Sequence, residues 1–257
     1  SYGALWFDYA KYQPVTNGAK ALDVHELGSW VLGNFETVDE VKEALTGVEV
    51  WSPVTPALGI VPPLHFSIHD ASGKSLVIEF VEGKMEIHDN PTSVLTNQPN
   101  FSWHLSNLKN YVHLTHAHAK EMEVKGFKLH PHGSGGGFLG LPGDWTSPSR
   151  FVKLFFMKQY VETPENHNQT VNQAIHLLNA MDIPKGVVQY QGRRADYTQW
   201  ILVKDLGQKK IYFRTYDNQT FKQVDLMKEL ANQASPLRTA LSAPQKFAPV
   251  GSSPGPG

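Results

Sequence analysis

The chain has 257 residues, with 23 Lys and Arg against 24 Asp and Glu, which gives a formal net charge of −1. This balance, without any run of like charges, argues against nucleic acid or another polyanion as a partner. No stretch approaches the roughly 18 apolar residues of a membrane-spanning helix, so no membrane partner is expected. The sequence contains no cysteine, which excludes disulfides and thiolate metal sites within it.

The first part of the chain predicts one strand and two helices. Residues 2–12 alternate around aromatic side chains and predict a strand. Residues 22–33 carry apolar side chains at helical spacing, and a glycine ends that pattern. Thr37 and Glu40 have the spacing of a capping box, which predicts a second helix through Leu45.

The periodicity then changes to that of β-strands. Residues 64–69 and 76–80 alternate apolar and polar side chains on either side of a turn, and shorter alternating segments follow at 85–87 and 93–96. This pattern predicts an antiparallel meander. Because each strand has one apolar and one polar stripe, we expect the sheet to bury a single face.

The rest of the chain predicts further helices and a second set of strands. The predicted elements are helices over 101–112, 149–161 and 171–181, a hairpin over 196–216 and a strand over 219–224. Residues 113–147 are irregular, and we interpret them as a loop lining a site. The order of elements favours a layered α+β domain with antiparallel sheets over a βαβ succession. We expect one domain over residues 1–231 and a flexible extension or linker over 232–257.

Several segments in the middle of the chain carry a family resemblance. They are ALGIVPPLHF at 57–66, LTNQP at 95–99, and GLPGD at 140–144 followed by SRF at 149–151. In this order and spacing, residues 1–231 resemble the choloylglycine hydrolase and penicillin V acylase family of N-terminal-nucleophile amidases. The resemblance implies a four-layer αββα sandwich, in which two antiparallel sheets lie between helical layers.

The resemblance also implies an oxyanion site. It assigns one hydrogen-bond donor to the amide of Asn97 and a second to the main-chain N–H of Trp6. It places Arg150 beside the nucleophile, where a positive charge favours the thiolate. The residues by themselves leave alternatives open: Asn97 could hold a turn before Pro99, and Arg150 could pair with Asp144 at a helix start.

An apolar pocket is expected next to these donors. The indole of Trp6 would form part of its wall, together with Leu58 and Ile60, and an aromatic wall suits a phenoxyacetyl or fatty acyl chain. The alternative is that Trp6 is a core aromatic of its strand.

The nucleophile of this family is an N-terminal cysteine, which this chain lacks. Matched to the family, Ser1 falls in a later strand of the catalytic domain, so we do not expect it to act as nucleophile. The leading hypothesis is an amidase for penicillin V, conjugated bile salts or N-acyl homoserine lactones whose nucleophile lies outside this chain. The alternative is a non-catalytic homologue, or an assembly or ligand-binding module without the nucleophile.

Cofactor, assembly and location follow from the same resemblance. It implies no metal or organic cofactor, a homotetramer, and the periplasm, with the cytoplasm as the alternative. Residues 135–140 match G-x-G-x-x-G, but a Pro-Gly pair follows at once, so we interpret them as a loop rather than a dinucleotide site.

The histidine pairs do not have the spacing of a zinc site. No His-Glu-x-x-His motif occurs, and no third ligand stands at a clear spacing. We interpret them as surface and turn histidines: His65 and His69, His116 and His118, His130 and His132.

Overall fold

The computed structural model describes residues 1–189, 195–231 and 243–247. The chain divides into two compact units, Ser1–Thr163 and Pro164–Gly257. Apart from 243–247, the predicted flexible extension lies outside the described residues. The single domain over 1–231 stays a prediction. None of the described helices combines the length and apolar character that crossing a membrane would require.

The first unit combines a four-stranded sheet, two small two-stranded sheets and helices. Its strands are β1 (Tyr2–Trp6), β2 (Ala21–Asp23), β3 (Glu49–Trp51), β4 (Leu64–His69), β5 (Ser75–Val81), β6 (Lys84–Asp89), β7 (Met122–Val124) and β8 (Phe127–Leu129). Its α-helices are α1 (Val24–Asn34), α2 (Val38–Leu45), α3 (Phe101–Asn107) and α4 (Ser147–Tyr160).

The large sheet has the order β1-β4-β5-β6, and every neighbouring pair is antiparallel. The predicted meander is thereby confirmed from β4 to β6. The fourth predicted strand, over 93–96, is wrong, because that segment is irregular. The side chain of Asn90 holds it instead, accepting from Thr92 N at 3.1 Å and donating to Val94 O at 3.1 Å. Local side-chain bonds therefore replace a strand ladder here.

One face of this sheet packs on the first two helices. Phe66 of β4 and Ile78 of β5 share a buried cluster with Leu27 of α1 and Val41 of α2. The helix α2 begins with the predicted capping box, in which Thr37 and Glu40 satisfy each other's backbone N–H. Local side-chain hydrogen bonds thus determine where this helix begins. Burial of its apolar side against the sheet determines its orientation.

The opposite face is also buried, so the prediction of a single buried face is wrong. Val77 of β5 lies in a second cluster with Phe101 at the start of α3 and Phe151 of α4. This packing covers the polar stripe, and both His65 and Glu79 are 0% exposed. The alternating pattern does not reveal this burial, because these polar side chains find hydrogen-bond partners inside the protein.

Residues 113–147 are mostly irregular, as predicted, but they include the short hairpin β7–β8. Gly137 illustrates the close backbone packing of this region. A Cβ atom at Gly137 would lie 2.3 Å from the carbonyl oxygens of both Thr115 and Ala117, so only glycine fits. The segment then turns into α4, whose first turn contains Pro148 and is capped by Thr146.

The second unit contains helices and an antiparallel sheet of order β11-β12-β13. Its elements are α5 (His167–Asn179), β9 (Val188–Gln189), β10 (Ala195–Asp196), β11 (Trp200–Asp205), β12 (Lys210–Thr215), β13 (Asn218–Asp225) and α6 (Leu226–Ala231). The predicted hairpin and third strand are present, with shifted ends. Helices and antiparallel sheets in both units confirm the predicted α+β class.

Candidate active site

Asn97 connects two parts of the chain that are far apart in sequence. Its Nδ2 donates to the main-chain oxygen of Trp6 at 2.8 Å, and its Oδ1 accepts from Arg150 Nη2 at 2.6 Å. These contacts determine the positions of Nδ2 and Oδ1 in the Asn97 amide, because the Trp6 carbonyl can only accept and the Arg150 guanidinium can only donate. The structure therefore brings the three polar site residues predicted from the sequence into one hydrogen-bonded chain.

The main-chain N–H and C=O of Trp6 point away from β4, toward the edge of the four-stranded sheet. Ser1 and His69 exchange backbone hydrogen bonds at 2.7 and 3.0 Å, and Phe7 N donates to Pro63 O at 2.8 Å. Odd-numbered residues of β1 thus face β4, and the N–H and C=O of Trp6 face the opposite way. The N–H of Trp6 and the Nδ2 of Asn97 lie at the same strand edge, as two oxyanion donors must.

The indole of Trp6 is on the surface, not in the core. Trp6 is 42% exposed, and its Nε1 donates to Asp8 Oδ1 at 2.6 Å. Gln98 Nε2 donates to the other oxygen of Asp8 at 2.6 Å. Asp8 therefore links the Trp6 indole to Gln98, the residue that follows Asn97.

Arg150 lies in the first turn of α4. Its Nε donates to Trp145 O at 3.0 Å, while Nη2 reaches Asn97. Asp144 holds the start of this helix through the Thr146 backbone N–H at 2.9 Å and the Ser149 hydroxyl at 2.7 Å. Hydrogen bonds from Thr146 and Ser149 hold the pKa of Asp144 below its usual value. The helix start thus aims the guanidinium at Asn97.

The backbone at Asn97 is held from both sides. Ser147 Oγ accepts from Asn97 N at 2.9 Å, and Thr96 Oγ1 donates to Ser147 O at 3.1 Å. On the other side, His65 Nε2 lies 2.7 Å from Thr96 O, and His104 Nε2 lies 3.0 Å from Asn97 O. No sequence pattern predicts these contacts, since they join residues from separate elements.

His65 corrects the interpretation of the histidines as surface or turn residues. Its ring is 0% exposed and contacts the equally buried Glu79, with 2.9 Å between Nδ1 and Oε1. Glu79 also accepts from Phe101 N, at 3.1 Å on Oε1 and 2.9 Å on Oε2. His116, His118, His130 and His132 are exposed, in agreement with that interpretation.

Within the described residues, one group of potential metal-ligating side chains is compact enough to share a metal ion. It consists of Glu79, Glu86 and His88, whose ligand atoms lie within 4.8 Å of one another. Glu79 already accepts from Phe101 N and lies beside His65 Nδ1. Two surface side chains then remain, fewer than a zinc site requires.

Leu58 and Ile60 lie on an exposed turn before β4. Leu58 is 55% exposed and Ile60 46%, and Thr55 N donates to Ile60 O at 2.9 Å across the turn. The chain then reaches Pro63, which accepts from Phe7 N next to Trp6. Contact of these two side chains with a substrate stays a prediction.

Residues 1–238 match the family described as linear amide C–N hydrolases, choloylglycine hydrolase family. A bile salt hydrolase/transferase of Clostridium perfringens is 33% identical over 214 residues, which is 82% of this chain and 64% of that protein. A penicillin V acylase of Pectobacterium atrosepticum is 25% identical over 241 residues, covering 87% of this chain and 58% of that protein. The chain thus spans less than two thirds of the length of both relatives.

The fold is that of a solved relative. The structure of a variant of the conjugated bile acid hydrolase from Clostridium perfringens superposes with a TM-score of 0.86 at 30% identity. In two such structures the match covers 96–97% of this chain and 76–77% of that protein's chain. The resemblance inferred from the sequence is thereby confirmed.

Proposed function

The chain belongs to the choloylglycine hydrolase family of linear amide C–N hydrolases, and from this premise we propose that it holds the oxyanion side of an acyl-amide hydrolase. The observation that carries the proposal is the chain of contacts from Arg150 through Asn97 to Trp6. It presents two donors, the Asn97 amide and the Trp6 N–H, at one strand edge. Preorganised donors of this kind stabilise the oxyanion of a tetrahedral intermediate.

The proposed reaction passes through an acyl-enzyme. A cysteine thiol gives its proton to its own α-amine and attacks the amide carbonyl, whose oxygen becomes negative between Asn97 and Trp6. The α-amine then passes the proton to the departing nitrogen, and the C–N bond breaks. Water attacks the thioester and releases the acid. Arg150 would favour the thiolate by its positive charge.

The acyl group is proposed to be large and apolar. The support is the half-exposed indole of Trp6, together with Leu58 and Ile60 on the nearby turn. Penicillin V, a conjugated bile salt and a long-chain N-acyl homoserine lactone all carry such a group. We also propose that the protein is a homotetramer located in the periplasm, on family resemblance alone.

The nucleophile is proposed to lie outside these residues, because they contain no cysteine. The test compares the 257-residue chain with the full-length product of its gene, using penicillin V and glycocholate and detecting the released amine. We expect saturable release only from the full-length product, and a covalent acyl-enzyme by mass spectrometry.

The other outcomes separate the alternatives. Saturable hydrolysis by the 257-residue chain would place the nucleophile within it and favour Ser1. No hydrolysis and no acyl-enzyme from the full-length product would favour the non-catalytic homologue.

A further inference from the structure

Two buried histidines hold two consecutive carbonyl groups beneath the candidate site. His65, from β4, contacts Thr96 O at 2.7 Å, and His104, from α3, contacts Asn97 O at 3.0 Å. Both residues are 0% exposed. A carbonyl oxygen can only accept, so each Nε2 must carry the hydrogen. Two imidazole donors therefore hold the backbone of Thr96 and Asn97, which carries the Asn97 side-chain amide.

Each histidine ring also stacks on a phenylalanine that follows a site residue. His65 lies on Phe7 with 4.6 Å between ring centroids and 5° between planes, and Phe7 follows Trp6. His104 lies on Phe151 with 4.6 Å and 14°, and Phe151 follows Arg150. Ring stacking thus connects the two histidines that hold the Asn97 backbone to the neighbours of Trp6 and Arg150, the two residues that the Asn97 side chain contacts.

Glu79 joins the two histidines through the fold. Its carboxylate contacts His65 Nδ1 and accepts from Phe101 N, the first residue of the helix that carries His104. Because Nε2 of His65 already donates to Thr96, a second proton must lie between Nδ1 and the carboxylate. Whether it resides on the ring or on the oxygen, the pair is neutral overall, which suits its complete burial.

His104 is held in one form. Its Nδ1 is buried and has no hydrogen-bond partner among the residues that the structure describes. Burial lowers the pKa of His104, against the opposing effect of its hydrogen bond to the Asn97 carbonyl. Burial and the unpartnered Nδ1 both favour the neutral ring, with its single hydrogen on Nε2 and directed at Asn97.

We propose that His65, Glu79 and His104, together called the platform, are positioning residues that hold the Asn97 amide in register with the Trp6 N–H. The platform touches no reacting atom and acts through the backbone of Thr96 and Asn97. This inference rests on the proposed function for its effect on catalysis. Its structural part, the orientation of Asn97, does not depend on that function.

The test compares two substitutions at the same position. His104→Phe keeps a flat ring for stacking on Phe151 but removes the donor. His104→Gln keeps a donor, since an extended glutamine amide reaches about as far as imidazole Nε2. A third variant, Leu45→Ala, loses stability in the separate cluster on the other face of the sheet and leaves the platform intact.

The first measurement is the side-chain amide signal of Asn97 in ¹⁵N-labelled 257-residue chain, assigned by its disappearance in Asn97→Asp. We expect His104→Phe to shift and broaden this signal, His104→Gln to restore it, and Leu45→Ala to leave it unchanged. An unchanged signal in a folded His104→Phe protein, or the same change in Leu45→Ala, would overturn the proposal.

The second measurement uses the full-length product. We expect His104→Phe to lower kcat by roughly 10-fold to 100-fold, with KM changed less than about 3-fold, because a small displacement of a catalytic group slows the chemical step. His104→Gln should recover most of kcat. Leu45→Ala, measured per folded molecule, should retain it.

The two measurements separate the platform from the proposed function. If the wild-type product hydrolyses nothing while the Asn97 signal responds as expected, the function fails and the positioning role stands. If hydrolysis occurs and His104→Phe leaves kcat unchanged, the catalytic role of the platform is refuted. Should His104→Phe not fold, Glu79→Gln and Glu79→Leu offer the same comparison of retained and lost contacts.

Discussion

The platform and the turn before β4 are opposite in character, although the turn ends shortly before His65 in the chain. The platform is wholly buried, and its hydrogen bonds join β4, β5 and α3. The turn, residues 54–61 and called the rim segment, exposes most of its apolar side chains, among them Leu58 and Ile60. The residues that position Asn97 depend on one another through buried hydrogen bonds, so a substitution at one affects the others. The exposed side chains expected to contact an acyl chain can be substituted individually.

The largest expected effect is that of breaking the platform at Glu79. Glu79→Leu leaves His65 Nδ1 and Phe101 N–H buried without a hydrogen-bond partner, and each such group costs roughly 1–3 kcal/mol, so unfolding free energy should fall by about 2–6 kcal/mol. Glu79→Gln keeps one acceptor for Phe101 and one donor for His65. Urea denaturation of both variants should show a loss for leucine only. Equal losses would mean that the negative charge, not the hydrogen bonding, matters.

Removing the Asn97 amide should reduce catalysis more than stability. In the full-length product, Asn97→Ala should lower kcat by roughly 10²–10³-fold, the usual loss for one oxyanion donor. Binding of an unreactive acyl product should change little. Asn110→Ala, the same change at a surface position, serves as control. A kcat within a few-fold of wild type would make Asn97 a turn residue only.

Trp6→Ala tests whether the site continues into an apolar wall. Loss of the indole should remove roughly 1–3 kcal/mol of contact, mainly from large or long acyl groups. Phenoxyacetyl and decanoyl amides should therefore lose much more kcat/KM than an acetyl amide. Trp200→Ala, which removes another exposed indole in the second unit, is the matched control. A uniform loss for all three acyl groups, with a lowered melting temperature, would end the pocket assignment.

The smallest effect is expected in the rim segment. Leu58→Ser should change unfolding free energy by less than about 0.5 kcal/mol, as exposed substitutions usually do. If Leu58 meets the acyl chain, kcat/KM for the decanoyl amide should fall by about 3-fold to 10-fold, with the acetyl amide unchanged. A thermal melt and the same substrate series measure both. An unchanged decanoyl value would remove Leu58 from the pocket.

Local signals explain what was predictable from the sequence. The capping box at Thr37 and Glu40 needs only four residues, and the meander from β4 to β6 needs only alternation and turns, so both were predicted correctly. The family and the α+β fold followed from motifs in fixed order, and the comparisons confirm them. The three polar site residues were named for the same reason, and the structure places them in contact.

Contacts between distant elements explain what was not predictable. The parallel pairing of β2 with β3 involves three residues in each strand, too few for a periodic signal. His65 and Glu79 lie on a stripe that alternation marks as solvent-facing, and only the packing of α3 and α4 reverses this. Such burial depends on partners 14 or more residues away in the chain, which no local pattern displays.

The outward-facing edge of β1 has a consequence for strand addition. Main-chain groups of Ala4 and Trp6 point to that edge, away from β4, and an edge of this kind is where an extended segment can add to a sheet. The amide of Asn97, 2.8 Å from the Trp6 oxygen, occupies the place of the next inter-strand donor. An extended segment that paired with this edge would therefore lose its pairing at Trp6, where the Asn97 amide already bonds the main-chain oxygen.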